Sequence, residues 1–186
     1  MKLFYYDTET TGVKHWRNGI HQISGCIEID GEVKEYFDIK LQPNPSCDIE
    51  DDALAVAGIT RDDLKTYMSF RDGYKALIEI ISKYVDKFNK TDKFFMVGYN
   101  NAAFDNQFMR GLFLQNGDNY FGSWFWANTI DVMVLATQKL LNERIGMVNF
   151  KQMTVAKQLG IQVDETKLHD AAYDIDLTRQ IYKLCI

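Results

Sequence analysis

Phe4-Tyr5-Tyr6-Asp7-Thr8-Glu9-Thr10-Thr11-Gly12 is the stretch from which the rest of the chain takes its meaning. Leu3 to Tyr6 is the apolar, aromatic-rich run expected of a buried strand, yet it leads into two carboxylates where a core strand would turn. Strand side chains alternate between faces, so Asp7 and Glu9 point the same way, about 7 Å apart along the backbone. Two like charges on one face repel each other unless a cation lies between them. Ligands that offer only oxygen suit Mg²⁺ or Mn²⁺. An Asp-x-Glu pair also caps ordinary turns, so further ligands must come from elsewhere in the chain.

Working outward, 186 residues with 46% hydrophobic content predict a single domain, residues 1–186, able to bury a substantial core. The mean hydropathy of -0.27 and the lack of a long apolar run or leader predict a cytoplasmic protein with no membrane partner. Cys26, Cys47 and Cys185 are odd in number and lack C-x-x-C spacing, which argues against a disulfide framework or a zinc knuckle. A net charge of -5 disfavours wrapping long tracts of nucleic acid, because that mode depends on neutralising many phosphates. Holding a chain end remains compatible with it, since divalent ions can reverse the sign locally.

Ile20 to Ile29 and Val33 to Leu41 read as strands joined by a turn at Asp30-Gly31, giving an antiparallel ribbon with the first strand. In the loop before them, Trp16 and Arg17 could stack on a base or cover the sheet edge, and the second reading is favoured. His21 reads as a partly buried structural histidine. Asp51 to Ala57 has a helical period stopped by Gly58, Thr60 opens a short helix over Arg61 to Tyr67, and Ser69 can cap the next. In that helix Tyr74, Leu77, Ile78, Ile81, Tyr84, Val85 and Phe88 form a packing stripe. Phe94 to Tyr99 is a second buried strand, parallel to its neighbour.

Asn100 or Asn101 is expected to cap a helix over Ala102 to Gln115, with Asp105 in its first turn, just past a strand end where open α/β sheets place their sites. Asn119 to Asn128 reads as an aromatic loop, and Asp131 as an outer-shell acid or a helix N-terminal one. Asn149 to Leu159 is a further helix. The last helix should begin near Asp170, with His169 at its mouth and Asp174 one turn in.

Asp7, Glu9, Asp105, Asp174 and His169 together supply what two-metal phosphodiester hydrolysis requires: oxygen ligands and a base of near-neutral pKa. The pattern resembles the histidine subtype of the DEDD exonucleases, the DnaQ-like 3′-to-5′ exonucleases. Asp7-Thr8-Glu9-Thr10-Thr11-Gly12 is similar to that family's first motif, Asn101-Ala102-Ala103-Phe104-Asp105 to its second, and His169-Asp170-Ala171-Ala172-Tyr173-Asp174 to its third. Gly58-Ile59-Thr60 and Thr129-Ile130-Asp131 also fit, so the likeness spans nearly the whole chain in order.

The resemblance implies an α/β, ribonuclease-H-like fold: a five-stranded mixed β-sheet flanked by α-helices. It implies two Mg²⁺ or Mn²⁺ ions held by Asp7, Glu9, Asp105 and Asp174, with His169 as general base. Thr10, Asn101 and Phe104 would meet the substrate. The implied activity is release of 5′-mononucleotides from a DNA 3′ end, single-stranded or frayed, in proofreading or repair. RNA ends are the alternative substrate, and a polymerase-associated nucleic-acid-binding module the alternative role. A DNA polymerase or another replication or repair protein is the implied partner. Asn100 departs from the histidine that several relatives carry before the asparagine.

Overall fold

The computed structural model describes residues 1–167 and 170–186. His169 therefore lies outside the described residues. A mixed sheet runs in the order β3-β2-β1-β4-β5 and is built from β1 (Lys2–Thr10), β2 (Ile20–Ile29), β3 (Glu32–Lys40), β4 (Phe95–Gly98) and β5 (Ile130–Asp131). β1 pairs antiparallel with β2 and parallel with β4, as expected for a ribbon followed by a crossover. The β2–β3 hairpin turns on Asp30 and Gly31, whose φ angles of 52° and 87° are the left-handed pair that a tight turn of this hand demands.

The helices are α1 (Asp51–Val56), α2 (Arg61–Leu64), α3 (Phe70–Ser82), α4 (Asp105–Gln115), α5 (Phe121–Trp124), α6 (Val132–Lys139), α7 (Gln152–Gln158) and α8 (Ala171–Cys185). Among the described residues, none is long and apolar enough to cross a membrane. β1 alternates between two cores. Phe4 and Tyr6 pack with Leu77 and Ile81 of α3 and Phe108, Met109 and Phe113 of α4. Leu3 and Tyr5 pack on the other side with Val132 and Ala136 of α6, Val155 of α7, and Ile175 and Ile181 of α8. Because side chains alternate, Asp7 and Glu9 continue the α8 side and Thr8 the α4 side.

Several boundaries differ from the sequence reading. α3 stops at Ser82, and Phe88, expected in its packing stripe, is 85% exposed. The aromatic loop 119–128 contains the short helix α5, and Trp124 and Phe125 are buried. α4 begins at Asp105 rather than Ala102. The reason is tertiary: Asn100 takes a left-handed φ of 66°, and the Asp131 carboxylate accepts hydrogen bonds from the Asn100 and Ala102 N–H groups at 3.0 and 3.1 Å. Those bonds hold residues 100–104 in a turn.

His21 is fully buried, and among the described residues neither ring nitrogen has a hydrogen-bond partner. Burial holds its pKa down at about 4, against an ordinary 6.5. Between those values the unfolded chain binds a proton that the folded one refuses, so stability rises with pH across that window and is lost as pH falls through it. His21→Leu is expected to remove about 3 kcal/mol of this dependence between pH 7 and pH 4. Urea midpoints of both proteins at the two pH values test it, and parallel pH profiles would refute it.

Candidate active site

The end of β1 places Asp7 and Glu9 in a narrow cleft of about 80 Å³, lined also by Gln22 and Ser24 of β2, Val56 and Ala57 at the end of α1, and Ala171 and Asp174 of α8. The β1–β2 register explains the β2 residues, since Glu9 stands opposite Gln22 and Asp7 opposite Ser24. Residue spacing brings α8 into place: Asp170 caps the helix by accepting from Tyr173 N–H at 2.9 Å, so Asp174 falls one turn in, beside the small Ala171. The cleft shares Gln22, Ala57 and Ala171 with a wider groove of about 510 Å³, which also includes Asp38 and Lys40 of β3, Ile59 and Asp170.

Asp105 approaches from the opposite face of the sheet and does not line this cleft. It is 4% exposed, and its carboxylate accepts hydrogen bonds from the backbone N–H and the hydroxyl of Thr8. This follows from strand alternation, because Thr8 is the residue of the Asp-x-Glu motif that faces α4. The four acids nevertheless share one electrostatic neighbourhood. Asp7 opens to solvent in the cleft but has protein packed around it. That surrounding mass, with the like charges of Asp105, Glu9 and Asp174, pushes its carboxyl well above the usual range. Burial likewise raises Asp105, against the hydrogen bonds from Thr8 that lower it.

These residues fit divalent cations by their chemistry: oxygen donors only, with the charges of Asp105, Glu9 and Asp174 adding to burial in raising the Asp7 carboxyl. Among the described residues no group of three His, Cys, Asp or Glu side chains closes into a metal cage.

The three residues expected to meet the substrate are placed differently. Thr10 is half-buried and its hydroxyl donates to Gly12 O at 2.9 Å. Phe104 is half-buried at the start of α4, its ring 5.0 Å from that of Phe108. Asn101 is fully buried and donates from Nδ2 to Thr129 Oγ1 at 2.9 Å, so it braces the site from beneath. Thr129 in turn donates to Met96 O at 2.9 Å. Asp131, expected as an outer-shell or helix-start acid, does more: it also accepts from Met133 N–H at 3.0 Å, tying α6 to the turn that leads to Asp105. Gln22, Ser24, Val56 and Ala57 were not foreseen as lining residues. Pairing β1 with β2 across the Thr11–Gly19 loop would have found the first two.

The exonuclease family model named RNase T matches residues 4–182. The PolC-type DNA polymerase III of Mycoplasmopsis pulmonis is 25% identical over 179 residues, which cover 96% of this chain and 11% of that protein. Among solved structures, E. coli exonuclease I in complex with a dT13 oligonucleotide aligns with a TM-score of 0.76 and 20% identity, over 98% of this chain and 40% of that one. The zinc-bound form of the E. coli exonuclease I complex with single-stranded DNA gives 0.75 and 20%. The chain thus spans less than half the length of each of these relatives, and its likeness to the solved structures is one of fold.

Proposed function

The chain belongs to the RNase T exonuclease family, and from that premise we propose that it removes 5′-mononucleotides from the 3′ end of single-stranded or frayed DNA. The observation that carries the reading is the cleft that Asp7, Glu9 and Asp174 line together at the end of β1, where burial and then the charges of Asp105, Glu9 and Asp174 raise the Asp7 carboxyl. Asp7, Glu9, Asp105 and Asp174 would hold two divalent ions, Mg²⁺ or Mn²⁺. When bound, such ions supply activation of a water and stabilisation of the departing oxygen.

The chain's own residues do the rest. Thr10 and the Phe104 ring orient the terminal nucleotide, and Asn101 and Asp131 brace the start of α4 beneath Asp105. An imidazole nitrogen of His169 accepts the proton of the attacking water, since its ordinary pKa lies near neutrality. The bond between phosphorus and the 3′ oxygen of the preceding nucleotide breaks, and the phosphate leaves on the released nucleotide.

The dT13 complex of exonuclease I supports single-stranded DNA as substrate, and the PolC-type relative supports a polymerase partner. Digestion of 5′-labelled DNA and RNA oligonucleotides of one sequence tests the proposal. Stepwise shortening of the DNA from its 3′ end, abolished by chelator, is the expected result. Faster shortening of RNA would transfer the activity to RNA ends, and no shortening of either with Mg²⁺ or Mn²⁺ would end the enzyme reading.

A further inference from the structure

Residues 13–17, Val-Lys-His-Trp-Arg, are all exposed, and they are flanked by Thr11, Gly12, Asn18 and Gly19, all buried. This stem is tightly tied. Asn18 Nδ2 donates to Thr11 O, Asp48 O and Glu50 Oε1 at 3.1–3.3 Å, while its Oδ1 accepts from Lys14 N–H at 2.9 Å. Thr11 Oγ1 donates to Asp48 O at 2.6 Å and accepts from Gly19 N–H at 3.0 Å. Gly12 has a φ of 155°, and a Cβ there would lie 2.4–2.6 Å from the Asn18 side chain. Only glycine lets the two strands of the stem close this tightly.

The stem presents an indole rather than hiding one. Trp16 is 70% exposed, so it does not cover the sheet edge, whereas Arg17 is committed to an ion pair with Asp48. The indole is also connected to the acidic site. Its ring stands 5.1 Å from that of His15, His15 stands 6.3 Å from Phe108, and Phe108 stands 5.0 Å from Phe104, the residue before Asp105. A line of rings therefore leads from the start of α4 to the protein surface.

Exposed aromatic faces on a rigid support, with an exposed cation close in sequence such as Lys14, are what single-stranded nucleic acid stacks upon. We infer that Trp16 is a stacking platform for a base of the single strand upstream of its 3′ terminal nucleotide, with Lys14 meeting the adjoining phosphate. The inference rests on the exonuclease reading for the direction in which the strand lies. It goes beyond that reading by assigning substrate contact to a loop outside the three carboxylate motifs. Stacking is tolerant of sequence, so the platform would hold the strand without selecting its bases.

The test uses the full chain with Ca²⁺ in place of Mg²⁺, and dT10 as the probe. Binding to the native protein should quench tryptophan emission, because Trp124 is buried and Trp126 half-buried, leaving Trp16 as the indole open to a base. Trp16→Ala should raise the Kd roughly tenfold, and Trp16→Phe should restore most of the affinity while abolishing the quench. Lys14→Ala should reduce the salt slope by about one. Equal Kd values for native protein and Trp16→Ala, a quench that survives in Trp16→Phe, or no binding of dT10 to native protein would each overturn the inference and leave the indole to a protein contact. Failure of the exonuclease reading shows up separately, as binding of dT10 without its shortening when Mg²⁺ is supplied.

Discussion

Asp7→Asn is expected to lower nucleotide release by about 10³-fold or more while raising the melting temperature of the chelator-treated protein by about 2–4 °C. The first effect follows from losing a carboxylate at the point where the other three converge, since transition-state stabilisation of several kcal/mol corresponds to about that factor. The second follows from the same crowding. The surrounding protein and the charges of Asp105, Glu9 and Asp174 make an ionised Asp7 unfavourable, and relieving one such repulsion is worth on the order of 1 kcal/mol. A residue that costs stability and is required for activity marks a functional site. Adding Mg²⁺ or Mn²⁺ should therefore stabilise the native protein more than the variant, because ligand binding to the folded state shifts unfolding by mass action. Native-like hydrolysis by Asp7→Asn, or a melting temperature below that of the native chain, would contradict this account.

Arg179→Leu should cost about 3–5 kcal/mol, a fall in melting temperature of roughly 10 °C. Arg179 lies near the middle of α8 and makes two hydrogen bonds to Glu28 Oε2 on β2, at 2.6 and 3.1 Å. The side chains are only 14% and 4% exposed. A further bond to Asp176 at 2.7 Å and the Tyr5 ring 5.8 Å away fix the guanidinium plane. Removing it leaves a buried carboxylate whose other cation, Lys183, is 3.8 Å away and half exposed. Glu28→Leu combined with Arg179→Leu should recover most of the loss, because an apolar pair carries no stranded charge. Chemical denaturation of the two variants decides the point. A cost below about 1 kcal/mol for Arg179→Leu would class the pair with ordinary surface ion pairs.

The sheet was legible because its signals are local. Alternation, the Asp30-Gly31 turn and the continuous run from Phe94 to Tyr99 each sit within a few residues, and β1 to β4 match them closely. The start of α4 was not legible, because the deciding contact comes from Asp131, about thirty residues away, acting on the backbone at Asn100 and Ala102. The extent of α3 was overread, since a spacing that continues to Phe88 cannot reveal that the chain leaves the helix at Ser82. For the site, periodicity put Asp7 and Glu9 on one face and Asp174 one turn into α8, and all three line one cleft. It could not say that Asp105 would arrive from the other side of the sheet and be anchored to Thr8. Nor could it say that Asn101 would be sealed beneath the surface.

Asp7 and Asp174 face the same cleft although 167 positions of chain separate them. During synthesis the strand that bears Asp7 is made long before the helix that bears Asp174, so a nascent polypeptide on the ribosome holds only a partial set of acids. On the proposed reading, such a chain cannot attack DNA ends until that helix has docked, and a break that frees the helix would disarm the enzyme at once.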